Sequence, residues 1–203
     1  MRLCANASAS VGFLPERLKA FQARYPHVQI ALTEQISDEV VRTCLDGRAD
    51  IGISASGRMP GGLDSWPFAD ADDPLMVVLP LGHALTESET LAFAEVLRYP
   101  LVALQESGSL DLILKEHADA ARPPLRLAVT VNSFDAQCRM VEAGLGIGIV
   151  PISAASAFAG SHGFVRWPLA EPWAAARSLR VHALKISSRL MAVQALIDAL
   201  TER

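Results

Sequence analysis

Apolar residues recur at two spacings along this chain, and the switches between them predict its elements. Leu3, Cys4 and Ala5 make a short apolar run that reads as a strand. Small residues follow. Val11, Leu14, Leu18 and Phe21 then recur at helical spacing until Tyr25-Pro26 stops the helix. Val28, Ile30 and Leu32 alternate with Gln29, Ala31 and Thr33, the period of a half-buried strand. Ser37 is placed to cap a second helix that carries Val40, Val41 and Leu45 and ends at Gly47. Residues 49–53, Ala-Asp-Ile-Gly-Ile, give a third strand. By residue 53 the chain therefore has a βαβαβ unit with a parallel sheet.

The rhythm then breaks and restarts. Residues 57–62 form a loop and 63–68 an extended segment, and the polar stretch 70–74 marks a hinge. Leu75–Leu79 is a buried strand, followed by helix 92–98, strand 101–105, helix 109–120, strand 125–131, helix 133–143 and strand 147–150. The chain returns around Trp167-Pro168. Leu179, Val181, Ala183 and Lys185 then suggest a strand, and Leu190–Leu200 an amphipathic helix. The expected architecture is α/β, with two lobes joined by crossovers near 69–74 and 164–170. Lobe I would hold residues 1–70 and 169–203, and lobe II residues 71–168.

Composition narrows the function classes. The 203 residues are 51% hydrophobic and 20% charged, those of an ordinary globular chain, and the formal net charge of -4 gives no electrostatic footprint for nucleic acid. No apolar run reaches the length of about 18 residues that would cross a membrane, and the N-terminus lacks a secretory apolar stretch. These features point to a cytoplasmic protein. Cys4, Cys44 and Cys138 are far apart and form no CxxC, so buried reduced thiols are expected. The sequence leaves any redox role for them open.

The candidate chemistry lies at three strand-to-helix turns rich in small polar residues: Ser8-Ala9-Ser10, Ser107-Gly108-Ser109 and Asn132-Ser133. In a parallel sheet such turns sit at the carboxyl ends of strands, where open α/β folds bind ligands, and helix starts there suit an anion. Ser54 and Ser56 follow the third strand toward the same edge. Each serine could equally be a plain helix cap; the three turns together favour a ligand cleft. Gly144-Leu145-Gly146-Ile147-Gly148 follows a helix and leads into a strand, which is the wrong context for a dinucleotide fingerprint. No histidine has metal spacing, and neither a nucleophile elbow nor a Walker loop occurs. Asp50 reads as a turn residue, and Asp70, Asp72 and Asp73 as a solvated hinge. No cofactor, metal site or catalytic residue is expected.

Four segments then carry a resemblance. Ser8-Ala9-Ser10, Phe13-Leu14-Pro15 and the run Phe21 to Val28 resemble the opening of the effector-binding domain of LysR-type transcriptional regulators. Residues Leu45 to Ile53 are similar to that family's L-x-x-G-x-x-D-x-x-I segment. Val77 to Leu85 resembles its P-x-x-H-P-L segment, with Ala84 where proline is usual. Val141 to Pro151 resembles its V-x-x-G-x-G-I-x-x-x-P segment. Each segment alone is a weak signal. Their order over nearly the whole chain is a strong one.

The resemblance implies a two-lobed type 2 periplasmic-binding-protein-like fold with mixed, mostly parallel sheets, two crossover hinges and a cleft between lobes. It implies a transcription factor whose winged helix-turn-helix domain precedes this chain, so that DNA is bound only through that missing domain. By position it assigns effector contacts to Ser8, Ala9, Ser10, Ser54, Ser107, Ser109, Asn132, Ser133 and Phe134, with Gln35 and Ser37 less firmly placed. No cation sits inside these turns unless Arg58 or Arg139 reaches in. Phe134 could stack on an aromatic effector or belong to the core. The expected partners are a small carboxylate or other anionic metabolite and further copies of the chain, as homodimer or homotetramer, without a membrane. In the dimer the helix at 12–24 would pack on the partner's helix at 134–143. Two rivals remain: a transport-system solute-binding protein, which needs a signal peptide, and an α/β enzyme, which needs an acid/base pair among these turns.

Overall fold

The computed structural model describes residues 1–55, 60–104, 109–120, 124–159, 163–186 and 189–202. It forms two compact units, Met1–Asp72 with Ser178–Arg203, and Asp73–Arg177. The first unit opens with β1 (Arg2–Ala5), α1 (Ala7–Gly12), α2 (Leu14–Arg24), β2 (Ala31–Glu34), α3 (Ser37–Leu45), β3 (Ile51–Ala55) and β4 (Leu63–Asp72). The second holds β5 (Leu75–Pro80), a 3-10 turn at Ala84–Glu87, α4 (Phe93–Val96), β6 (Leu101–Leu104), α5 (Ser109–Ala120) and β7 (Leu127–Val131). It continues with α6 (Phe134–Glu142), β8 (Ile147–Pro151), α7 (Ile152–Ala159), β9 (Phe164–Pro168) and α8 (Pro172–Ala175). The chain then returns to the first unit as β10 (Ser178–Leu184) and α9 (Met191–Thr201).

In the first unit the sheet order is β2-β1-β3-β10-β4. β1 runs parallel to β2 and β3, and β10 runs antiparallel to β3 and β4. Leu3, Ile51, Ile53, Leu179 and Val181 pack with Leu14 and Phe21 of α2 and Leu196, Ile197 and Leu200 of α9. A smaller cluster of Cys4, Val40, Cys44 and Ala49 places α3 over β1. The expected first helix is in fact two. Phe13 leaves helical geometry at φ -127° and ψ -40°, and Pro15 then sits in the first turn of α2. Pro15 has no N–H to donate to the carbonyl of Val11, so the ladder of α1 cannot continue through it. β2 is an edge strand exposed at all four residues, not the half-buried strand its alternation predicts. Val28 and Ile30, which precede it, supply the packing against the core instead.

The second unit repeats the pattern with the order β7-β6-β8-β5-β9. β6 is parallel to β7 and β8; β5 is antiparallel to β8 and β9. Its core joins Leu75, Val77, Leu79, Leu101, Ile147 and Ile149 to Leu91, Phe93, Val96, Leu97 and Leu114. Residues 164–168 belong to this sheet as an edge strand, so the chain leaves the unit at Arg177 and not at 164–170. The Trp167-Pro168 pair resembles a turn, but proline is tolerated on an edge strand.

The polar stretch at 70–74 also differs from expectation. β4 runs through it to Asp72, with Asp70 at φ +53° beside a register shift in the pairing with β10. Asp73 is fully buried rather than solvated. Its carboxylate forms an ion pair with Arg177, and one oxygen accepts from the Ser153 backbone N–H at 3.0 Å. Gly144 ends α6 at φ +78°, and so the glycine run terminates a helix as the sequence suggested.

Candidate functional site

In each unit the parallel strands end at an edge where polar turns gather. In the first unit the backbone of Asn6, just past β1, donates to Ile53 O at 2.9 Å. The Asn6 side chain caps α1 by accepting from the Ala9 N–H at 3.0 Å, and its Nδ2 donates to Ser37 Oγ at 3.2 Å. Ser37 Oγ also accepts from the Ala55 N–H at 3.3 Å. One hydroxyl thus ties the start of α1, the start of α3 and the end of β3 together. Ser37 does not cap α3 as expected. Ile36 is the cap residue, and it makes no side-chain cap bond. Gln35 joins the same edge through its N–H to Ala5 O at 3.0 Å, with its side chain held by Thr43 Oγ1 at 2.9 Å.

Ser8, Ala9 and Ser10 lie in the first turn of α1 at this edge. Ser8 and Ala9 are buried; Ser10 is half-buried, and its Oγ has no hydrogen-bond partner among the described residues. Ser54 is not gathered with them. Its hydroxyl is buried 2.8 Å from His182 Nε2, while His182 Nδ1 lies 3.1 Å from Ser65 Oγ and Arg180 Nε donates to that same oxygen at 2.8 Å. Burial, and then the Arg180 charge, push His182 down to about 4, so the imidazole is neutral near pH 7. A serine beside a histidine has the outline of a nucleophile and base. Here both are buried, at 1% and 0% exposure, and the third group is a hydroxyl where such a site uses a carboxylate.

In the second unit β6 and β7 end side by side, with Leu104 opposite Val131. Asn132 and Ser133 are exposed just past β7. Ser133 caps α6, its Oγ accepting from the Ala136 N–H at 3.2 Å. Phe134 is buried at 7% exposure, which favours the core role over stacking within this unit. Ser109 begins α5 past the end of β6. Ser107, with Ser56 and Arg58, lies outside the described residues. Arg139 faces Asp135 one turn away at 3.2 Å.

Other residues singled out in the sequence have structural partners. Asp50 accepts from the Arg2 backbone at 2.7 Å and from its guanidinium at 2.8 Å. Burial pushes this carboxyl up, but the Arg2 hydrogen bonds outweigh it and hold it below its ordinary value. His83, in the segment with Ala84, caps the 3-10 turn by accepting from Leu85 N at 3.3 Å. Cys4 and Cys44 bury their sulfurs 3.9 Å apart; hydrogen bonding to Cys4, with burial, pushes the Cys44 thiol up. Burial pushes Cys138 up to about 12. Among the described residues no group of three or more His, Cys, Asp or Glu side chains could hold a metal ion, and no helix is long and apolar enough to cross a membrane.

Sequence reasoning missed the His182 network and a second buried amide, that of Gln137. The spacing of α6 could have found the latter. Phe134, Gln137, Cys138 and Val141 form the buried face of that helix, so Gln137 is a polar residue on an apolar stripe.

Comparison with known proteins accounts for this arrangement. The model of the LysR substrate binding domain matches residues 1–203. The transcriptional activator protein LysR of Escherichia coli is 29% identical over 146 residues, covering 71% of this chain and 46% of that protein. The regulator SsuR of Burkholderia cenocepacia is 30% identical over 145 residues, covering 68% and 44%. The chain thus spans about half the length of the curated relatives it matches. The fold is that of the regulatory domain of CcmR from Synechocystis in complex with 2-PG, with a TM-score of 0.86 at 16% identity over 100% of this chain and 97% of that one. The BenM effector binding domain with benzoate gives a TM-score of 0.83 at 17% identity, over 98% and 89%. The two mixed α/β sheets and the family match over the whole length lead to one assignment: this chain belongs to the LysR substrate binding domain family of transcriptional regulators.

Proposed function

We propose that this chain is the effector-sensing part of a LysR-type transcriptional regulator, which holds a small carboxylate or other anionic metabolite at the strand-end turns. The observation that carries this reading is the family match over residues 1–203. In the first unit the ligand is met by the turn at Ser8, Ala9 and Ser10, which the Asn6–Ser37–Ala55 bonds hold in place. In the second the candidate contacts are those the resemblance assigns: Ser107, Ser109, Asn132, Ser133 and Phe134. Ser54 acts behind this edge, through the backbone it shares with Ala55, because its hydroxyl is bound to His182.

An anion at such turns is held by backbone N–H groups and hydroxyls, with no side-chain cation required. A ligand that binds one conformation of the protein better than another shifts their population by its differential affinity and no more. In the full-length regulator that shift changes the geometry of a homodimer or homotetramer on DNA, which is bound through a domain outside this chain. The protein would act in the cytoplasm. The relatives named above are regulators, which favours sensing over transport or catalysis.

Calorimetry with benzoate, lactate and citrate tests the binding step. Ser10→Leu fills the space beside a half-buried hydroxyl that has no partner, and it should abolish the heat seen with whichever acid binds the unsubstituted protein. An unchanged isotherm would overturn the placement of the site.

A further inference from the structure

β6 and β8 part company before they end. Their ladder pairs Leu101 with Ile147 and Val102 with Gly148, yet β6 continues to Leu104 and β8 to Pro151. Gln137 reaches into this opening from α6. Its Nε2 donates to Val102 O at 2.8 Å and to Ile149 O at 3.4 Å, one carbonyl from each strand. Gly148 makes the approach possible, because a Cβ there would lie 3.3 Å from Nε2 and 2.8 Å from a Val78 methyl. Two carbonyls facing Nε2 fix which way the amide points, since the flipped amide would set Oε1 against both. Oε1 is therefore a pure acceptor. It is buried, in a side chain only 2% exposed, and has no hydrogen-bond partner among the described residues.

The same opening holds a cavity of about 20 Å³. Its apolar walls include Ala103, Leu104, Leu110 and Leu114, and its polar lining is Gln137 and Asp111. Asp111 is already engaged with Lys115 at 3.0 Å, and it adds a second acceptor to the wall. A space of this size admits one water-sized group. The lining supplies acceptors, so the group that completes it must donate. A buried acceptor left unmet calls for such a partner, and a site built to bond one hydroxyl rejects the analogue that lacks it.

We infer that this cavity reads a single hydroxyl or amino group on the effector, with Gln137 Oε1 as its acceptor. Gln137 is thus a specificity-determining residue, selecting hydroxylated or aminated acids over their plain counterparts. The inference rests on the reading that the strand-end turns of this unit hold the effector, because the cavity runs along β6 from Leu101 to Leu104 and reaches Leu110 and Asp111 in the first turn of α5.

The test uses matched pairs in calorimetry: benzoate against 3-hydroxybenzoate, and propionate against lactate. The unsubstituted protein should bind the hydroxylated member of at least one pair about tenfold or more tighter, and Gln137→Met, close in volume, should bring that ratio to within about twofold. The amide also bridges two strands, so a failure of Gln137→Met to fold would report on that bridge and not on the ligand. A crystal structure of the unsubstituted protein with 3-hydroxybenzoate or lactate then decides by itself, and should show the ligand hydroxyl within hydrogen-bond distance of Oε1. Equal affinity within every pair, a ratio unchanged by Gln137→Met, or a structural water on Oε1 with the ligand elsewhere would overturn the inference. Absence of heat with all four acids would instead overturn the acid-binding reading beneath it.

Discussion

The two units share one topology and differ in how they satisfy their buried polar groups. Each has three parallel strands, then one antiparallel strand and an edge strand that runs antiparallel to it, β2-β1-β3-β10-β4 in the first and β7-β6-β8-β5-β9 in the second. Neutral groups link the buried elements of the first: Asn6, Ser37 and Ala55 at the strand ends, and Ser54, His182 and Ser65 across β3, β10 and β4. The second relies on a buried charge pair, Asp73 with Arg177; among the described residues each unit leaves two buried polar atoms without a hydrogen-bond partner, Ser10 Oγ and Arg189 Nε in the first and Gln137 Oε1 and Ser153 Oγ in the second. A shared topology therefore positions similar turns without dictating what lies beneath them. One unit ties its strand ends with neutral side chains, and the other locks the exit of its chain with an ion pair and sets Gln137 between two strands.

The largest expected effect comes from the charge pair. Asp73→Ala leaves Arg177, only 9% exposed, without its carboxylate, and the Ser153 N–H loses its acceptor. Breaking one side of such a pair costs about 3–5 kcal/mol. Urea denaturation should show that loss, with amides of the second unit exchanging first. A loss below about 1 kcal/mol would show that the pair is not a main support of this unit.

The first unit should be the more sensitive to mild acid. The folded value for His182, about 4, lies below its ordinary 6.5, so the unfolded chain takes up a proton that the folded chain refuses. The contribution is complete above pH 6.5 and is lost as pH falls toward 4, by about 3 kcal/mol at most. Urea midpoints measured from pH 7 to pH 4 should fall over that window, and His182→Asn should flatten the fall. A fall as steep in the variant would assign the effect to other groups.

Much of this fold is legible along the chain because its signals are local. The helix signal of Val40, Val41 and Leu45 and the runs at 75–79 and 147–150 identify α3, β5 and β8 without tertiary information. The break at Phe13 was also available locally, in Pro15. What stayed hidden depends on pairing. Asp73 reads as solvated in the string Asp72-Asp73-Pro74, and only the return of the chain at Arg177 makes it a buried partner. His182 becomes a polar link because the register sets it opposite Gly52 on one side and Ser65 on the other. The candidate turns were visible as small polar residues after strands. Sequence could not divide them into caps, such as Ser133, and hydroxyls bound elsewhere, such as Ser54.

The proposal that most needs testing is that the effector is held at the carboxyl ends of the parallel strands. Amide chemical-shift mapping, on adding an acid that gives heat in calorimetry, tests it most directly. The account predicts shifts concentrated at residues 7–10 and 35–37 of the first unit and 132–134 of the second. Shifts concentrated instead around Arg2 and Asp50, at the opposite ends of β1 and β3, would contradict it.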